Sequence, residues 1–277
     1  MTRLGFLGFG EAAGAFAESL RAADPGSEFL GFDVADRAEA MAAAGVTPVT
    51  REGLAAAEWL FSAVTADQSL AALEAQARHL APGQLVIDIN SVSPGRKRAS
   101  QALVEARGAG YLDMAVMAPV HPRGHRTPVL VAGDAPEAEL TRLGFEWRSA
   151  GAEPGQATAI KMVRSLFVKG LEAITVETLL AAEASGCTDE ILTSLAKSYP
   201  GLGFPEIADY QFERTLRHGA RRAAEMRESA VTIAELGLTG ALAQAIAEVQ
   251  ARQGAAEVAP EAPLAERLAA RLRGRTT

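Results

Sequence analysis

A short apolar strand that breaks into a glycine turn and then a helix opens this chain. Arg3-Leu-Gly-Phe-Leu-Gly-Phe-Gly10 supplies the strand and turn, and Glu11-Ala-Ala-Gly-Ala-Phe-Ala-Glu-Ser-Leu20 supplies the helix pattern. Gly8, Gly10 and Ala13 fit G-x-G-x-x-A, and Asp33 closes the next expected strand, Glu28-Phe-Leu-Gly-Phe32. Strand, turn, helix, strand and acid in that order are the layout of a dinucleotide-binding βαβ unit. Gly8 permits the tight turn, Gly10 removes a side chain where pyrophosphate approaches the backbone, and Ala13 lets helix and strand pack closely. The helix N-terminus adds N–H donors and a partial positive charge. Phe9, Glu11 and Ala12 complete the turn expected to hold the phosphates. A glycine turn alone can be purely structural; the flanking elements and the acid weigh for a nucleotide.

Asp33 also bears on which dinucleotide binds. Its carboxylate can accept hydrogen bonds from the ribose hydroxyls of NAD, and it repels the extra phosphate of NADP. Arg37, four residues on, is either a solvated helix residue or a partner for that phosphate. NAD is the expected cofactor, with NADP the alternative.

Alternation of strands and helices continues to about residue 150. Strands are expected at 3–9, 27–32, 45–49, 58–63, 85–89, 110–116, 128–132 and 145–149, with helices between most of them, such as Asp67–His79 and Pro94–Arg107. Ser93 suits the N-cap and Pro94 the first turn of that second helix. The pattern predicts an α/β fold: a Rossmann-type, doubly wound, mostly parallel sheet with ligands at the carboxyl ends of its strands. After Gly151-Ala-Glu-Pro-Gly155 the pattern turns helical. Residues 156–184 contain no proline and one internal glycine, so a single helix of roughly 40 Å is expected there. Further helices are expected at 188–198, 203–217, 217–236, 239–253 and 263–273. The expected domains are 1–154, dinucleotide-binding, and 155–277, an all-α substrate and dimerisation domain joined through the long helix.

Composition narrows the class. A chain of 277 residues can bury a full core, and 48% hydrophobic residues with only 5% aromatics suit an alanine-rich α/β protein. The net charge of −7 argues against nucleic acid or an anionic membrane as a main partner. Cys187 is the single cysteine, so no intrachain disulfide can form. The first strand begins by residue 3 and no apolar run reaches membrane-spanning length, which gives a cytoplasmic expectation.

Four further segments fall where substrate belongs. Phe61-Ser-Ala-Val-Thr65 ends a strand in small residues, so Val64 and Thr65 are expected against the cofactor. In Val86-Ile-Asp-Ile-Asn-Ser-Val-Ser-Pro94, Asn90 and Ser91 place an amide and a hydroxyl at a strand's carboxyl end, fit to orient a carboxamide or a substrate oxygen. The loop after Tyr111-Leu-Asp-Met-Ala-Val116 carries Met117, Ala118, Pro119, His121, Arg123 and His125. Proline and glycine break the helix that would pair the two histidines, so no metal is expected, and Arg123 is the candidate anchor for an anionic substrate. Last, Lys161 falls in the second turn of the long helix within an apolar stretch, with Arg164 and Ser165 following. Its ammonium either gives a proton to a carbonyl oxygen or snorkels on the outer face.

At these residues the chain resembles the β-hydroxyacid dehydrogenase family, which includes 6-phosphogluconate and 3-hydroxyisobutyrate dehydrogenases. The glycine fingerprint resembles Gly8–Ala13. The Gly-Asn-Ser element resembles Asp88-Ile-Asn-Ser91, the substrate loop resembles Asp113–Pro119, and Lys-x-x-Asn-Asn resembles Lys161–Ser165. The resemblance implies an NAD(P)-dependent oxidoreductase with Lys161 as acid/base, and Asn90 and Ser91 orienting substrate and nicotinamide. Met117, Ala118, Pro119, Arg123, Arg164 and Ser165 would then face a small, anionic hydroxy or oxo acid. Two departures stand out: Met117-Ala-Pro119 replaces Ser-Gly-Gly, and Ser165 replaces an asparagine. The resemblance also implies a homodimer built on the helical domain, with Arg214, His218, Arg221, Arg222 and Glu225 on a charged helix that either reaches in part into a partner's cleft or turns most of its charges to solvent. An imine reductase-like enzyme or a nucleotide-binding sensor without catalysis are the alternative readings.

Overall fold

Most strands in the first half of the chain are near-continuous apolar runs, and side chains that point alternately to either side bury both faces of the sheet. The computed structural model describes residues 2–273. Its strands are β1 (Arg3–Leu7), β2 (Glu28–Phe32), β3 (Thr47–Pro48), β4 (Trp59–Ser62), β5 (Leu85–Asp88), β6 (Gly110–Val116), β7 (Val129–Ala132) and β8 (Trp147–Gly151). They form one sheet in the order β3-β2-β1-β4-β5-β6-β7-β8, parallel except where β6 meets β7. All eight expected strands are present, several of them shorter at the ends and the last, expected at 145–149, shifted two residues on.

Period-two alternation assigns the faces. Leu4, Phe6, Phe61, Ile87 and Leu112 share one apolar layer with Phe16 and Leu20 of α1 (Glu11–Ala23), Met41 of α2 (Ala38–Ala43) and Leu140 of α5 (Glu137–Leu143). Their neighbours Leu7, Leu60, Val86 and Tyr111 share the other with Leu73 of α3 (Ser69–Ala77) and Val104 of α4 (Pro94–Glu105). This is the doubly wound arrangement, in which ligands bind at the carboxyl ends of the parallel strands.

The chain divides into two units between Met162 and Val163, inside the long helix α6 (Gln156–Ala184). Lys161 therefore falls with the sheet unit, and Arg164 and Ser165 with the helical one. The helical unit continues through α7 (Thr188–Ser198), α8 (Glu206–Glu235), α9 (Ala241–Gly254) and α10 (Leu264–Arg273). Its core joins Val176 and Leu179 of α6 to Phe212 and Met226 of α8, Ile246 of α9 and Leu268 of α10.

One expectation is corrected here. The helices foreseen at 203–217 and 217–236 are the single helix α8. Gly219 does not break it; a Cβ there would come within 2.3 Å of the Gln250 carbonyl and 2.6 Å of Gly254 N. Glycine is required because α8 and α9 cross backbone to backbone. The charges of α8 also divide more evenly than expected. Arg222 is buried against Glu172, and Glu225 pairs with the largely buried Lys169 at 2.6 Å, whereas Arg217 stays at the surface with Glu213 and Glu261.

Candidate active site

The glycine turn forms as its sequence requires. Gly8 has φ +87°, and a Cβ on it would lie 2.6 Å from Val64 Cγ1 and 2.7 Å from the Ala63 carbonyl. Both the backbone conformation and the space demand glycine. At Gly10 an added Cβ meets nothing within 4 Å, and α1 begins with no side-chain cap. An uncapped helix N-terminus beside open space fits an anionic pyrophosphate. Asp33, at the end of β2, binds the turn from the other side. Its Oδ2 accepts from Phe9 N–H at 2.7 Å and its Oδ1 from Ala35 N–H at 2.8 Å. Phe9 is buried, Glu11 exposed, Ala12 half-buried and Arg37 exposed.

The ends of β4 and β5 are joined by Asn90. Its Oδ1 accepts from Val64 N–H at 2.8 Å, and its Nδ2 donates to Ser62 Oγ at 2.9 Å and to Asp88 Oδ1 at 2.7 Å. Both amide hydrogens are therefore spent inside the protein, which leaves one lone pair on Oδ1. Asn90 holds two strand ends in register. Thr65, one residue past the clamp, is exposed.

Ser91 comes next. Lys161 Nζ, on the second turn of α6, donates to Ser91 Oγ at 2.6 Å, and both side chains are half-buried. The hydroxyl keeps a proton of its own to give. Ammonium and hydroxyl thus meet at the carboxyl edge of β5, beside the residues that close β4.

Beneath them lies a charge cluster that the sequence reading passed over. Lys97, on the first turn of α4, is fully buried. Its Nζ donates to the Asp88 carbonyl at 2.7 Å and lies 3.1 Å from Asp88 Oδ1. Asp113 Oδ1 is 3.3 Å away, without hydrogen-bond geometry, so that attraction is electrostatic. Tyr111 donates to Asp88 Oδ2 at 2.6 Å; burial, then the neighbouring Asp88 charge, pushes its phenol pKa well above the ordinary value and keeps it a donor. One cation meets two carboxylates here. The N-terminal end of α6 offsets the excess, because Gly155 N–H and Thr158 N–H both donate to Asp113 Oδ2 at 3.0 Å. The signal was available: Asp88 and Asp113 each interrupt an apolar strand, and a buried carboxylate requires a partner.

The loop after β6 is arranged differently. Met117 N–H donates to the Pro128 carbonyl at 2.9 Å, and Ala118 and Pro119 are exposed. Arg123, expected to anchor substrate, forms a surface ion pair with Glu146. His125 is buried and structural: Nε2 donates to the Leu143 carbonyl at 2.8 Å, and Nδ1 meets Ser19 Oγ at 2.7 Å. His121 is exposed. In the helical unit Arg164 is exposed, and buried Ser165 accepts from Lys169 Nζ at 3.2 Å. Among the described residues no group of three or more His, Cys, Asp or Glu is placed to hold a metal, and no helix is long and apolar enough to cross a membrane.

Comparison with known proteins places the sheet unit in a described family. Residues 3–147 match the family described as the NAD binding domain of 6-phosphogluconate dehydrogenase. The chain belongs to that family. Residues 182–253 match a second family, described only as a domain of unknown function (DUF1932). The crystal structure of a conserved hypothetical protein from Sinorhizobium meliloti 1021 is 34% identical, with a TM-score of 0.76, over 99% of this chain and 96% of that one. The 3-hydroxyisobutyrate dehydrogenase of Mycobacterium tuberculosis, solved with L-serine, shares the fold at 20% identity and a TM-score of 0.72, over 91% and 93% of the two chains. An uncharacterized 28.5 kDa protein in the 7S RNA 5′ region of Methanothermus fervidus is 26% identical over 146 residues, 52% of this chain and 56% of its own length. The match thus spans little more than half of that curated relative. Family membership supports an NAD(P)-binding oxidoreductase acting on a small molecule.

Proposed function

We propose that the protein is an NAD(P)-dependent oxidoreductase that interconverts a small hydroxy acid and its oxo form, with Lys161 as the acid/base. The observation that carries this reading is the 2.6 Å contact from Lys161 Nζ to Ser91 Oγ at the carboxyl edge of β5. Gly8, Phe9, Gly10, Glu11, Ala12 and Asp33 would hold the pyrophosphate and adenosine ribose, and Val64, Thr65 and Asn90 would flank the nicotinamide side. The nicotinamide held there would supply the hydride chemistry, to a carbonyl carbon or from a carbinol. Lys161 gives its proton to the oxygen that gains charge, and takes it back in the reverse direction. Ser91 holds the ammonium in place and donates to the same oxygen. Met117, Ala118 and Pro119 are assigned to the substrate's anionic end. Arg123 is less suited to that task because Glu146 already pairs with it.

The helical unit is assigned to dimerisation as well as substrate. Val163, Phe167 and Ile174 lie on one side of α6 and are 50%, 75% and 64% exposed, a stripe of the kind a second copy covers.

The reading is tested with initial rates for NADH and NADPH against a panel of small oxo acids and cyclic imines. Reduction of an oxo acid, with Lys161→Ala slower by about 10²–10⁴-fold and little recovery in Lys161→Arg, is the expected result. Wild-type turnover in a folded Lys161→Ala protein overturns the mechanism. Turnover of imines alone would move the substrate class to C=N. Cofactor binding without turnover of any member would make the protein a sensor.

A further inference from the structure

We propose that Thr158 is a positioning residue: its hydroxyl sets the register that presents Lys161 to Ser91. The proposal rests on the reading of Lys161 as acid/base. Thr158 is fully buried in the first turn of α6, and its Oγ1 donates to the Val92 carbonyl at 2.7 Å. Lys161 is three residues further along the same helix, and its partner Ser91 is the neighbour of Val92. Two adjacent rungs therefore join α6 to the loop after β5.

A threonine inside a helix ordinarily turns its hydroxyl back to a carbonyl three or four residues earlier. Thr215 and Thr232 do this, on Phe212 and Glu228. Thr158 reaches across to another segment instead, as Thr175 does to Gln211. Its N–H is held as well, by Asp113 Oδ2, so backbone and side chain of the same residue are fixed to β6 and to the loop. Lys97 keeps those two attachments in mutual register, because one buried ammonium contacts Asp113 and Asp88, and Asp88 receives the Asn90 amide. A slip of α6 by one residue moves Lys161 by about 1.5 Å. That shift is more than a 2.6 Å hydrogen bond tolerates.

The test compares Thr158→Val, which removes the hydroxyl at constant volume, with Thr158→Ser, which keeps it. Thr158→Ala, with room for water at the Val92 carbonyl, serves if the valine variant does not fold. Kinetics use the oxo acid that the wild type reduces. Thr158→Val is expected to lower kcat by up to about 10²-fold, the cost of a misplacement near 1 Å. KM for cofactor stays unchanged, and Thr158→Ser stays within about twofold of wild type, since the 2.7 Å donor survives. A purely structural role would instead lower melting temperature while kcat per folded enzyme held. A crystal structure of Thr158→Val should place Lys161 Nζ more than about 3.5 Å from Ser91 Oγ. A folded Thr158→Val with normal kcat, or with that contact retained, overturns the proposal while an inactive Lys161→Ala leaves the acid/base reading standing. An active Lys161→Ala overturns both.

Discussion

The carboxylate of Asp33 accepts a 2.7 Å hydrogen bond from the backbone N–H of Phe9, so the acid that ends β2 also shapes the glycine turn facing it. Fixed in this way, the carboxylate cannot swing aside for an added 2′-phosphate. NAD(H) is therefore expected to bind more tightly than NADP(H), with titration of intrinsic fluorescence as the measurement. Equal or tighter NADP(H) binding would mean that Arg37 outweighs Asp33. Gly10→Val should abolish binding of both. A Cβ at Gly10 meets no protein atom within 4 Å, so the fold tolerates the change and the loss reports the ligand itself. Unchanged affinity in a folded Gly10→Val protein would displace the pyrophosphate from this turn.

Lys97→Met should destabilise the protein by about 3–5 kcal/mol, because it strands two buried carboxylates that shared one cation. Urea denaturation followed by tryptophan fluorescence measures the loss. A change below about 1 kcal/mol would show that the cluster is not held by its charge.

Acid should weaken the sheet unit through His125. Burial holds its pKa below the ordinary value of 6.5, against the upward pull of the Leu143 carbonyl. Below about pH 6.5 the unfolded chain binds a proton that folded His125 refuses. Stability therefore falls as the pH drops from there toward the folded pKa. Melting temperatures between about pH 7.5 and 5.5 should decline, and His125→Gln should flatten that part of the profile. An identical slope in the variant would move the acid sensitivity elsewhere.

Phe167 is the most exposed residue of the α6 stripe and is expected at the centre of a homodimer contact. Light scattering should give a dimer for the wild type at micromolar concentration and a monomer for Phe167→Glu. A monomeric wild type ends this assignment.

Much of the sheet unit was legible in the sequence because each strand is short, apolar and bounded by a turn or a cap. The glycine turn was readable for a stronger reason, since Gly8 answers to both a φ of +87° and a Cβ clash. Gly219 shows the limit. Along the sequence it looks like a helix break, and only the approach of Gly254 reveals it as a crossing point. Lys161 was legible as a lysine in an apolar stretch, but its 2.6 Å contact with Ser91, far away in sequence, was announced by no local spacing. Arg123 and His125 sat in a loop of suitable chemistry, yet Glu146 and Leu143 are distant in sequence and no local spacing announces them. Lys97 was missed because a lysine between Arg96 and Arg98 in an amphipathic helix carries no mark of burial. The two aspartates inside apolar strands were the only clue.

That lysine also constrains the order in which the sheet can be assembled. Asp88 and Asp113 are Cα partners on adjacent strands, and their cation arrives on the first turn of α4, the helix between them in the chain. Pairing β5 with β6 before α4 docks would bring two carboxylates together in a drying interface with nothing to balance them. The strand, helix and strand from Leu85 to Val116 are therefore expected to close together, as one supersecondary unit tied by a single buried cation.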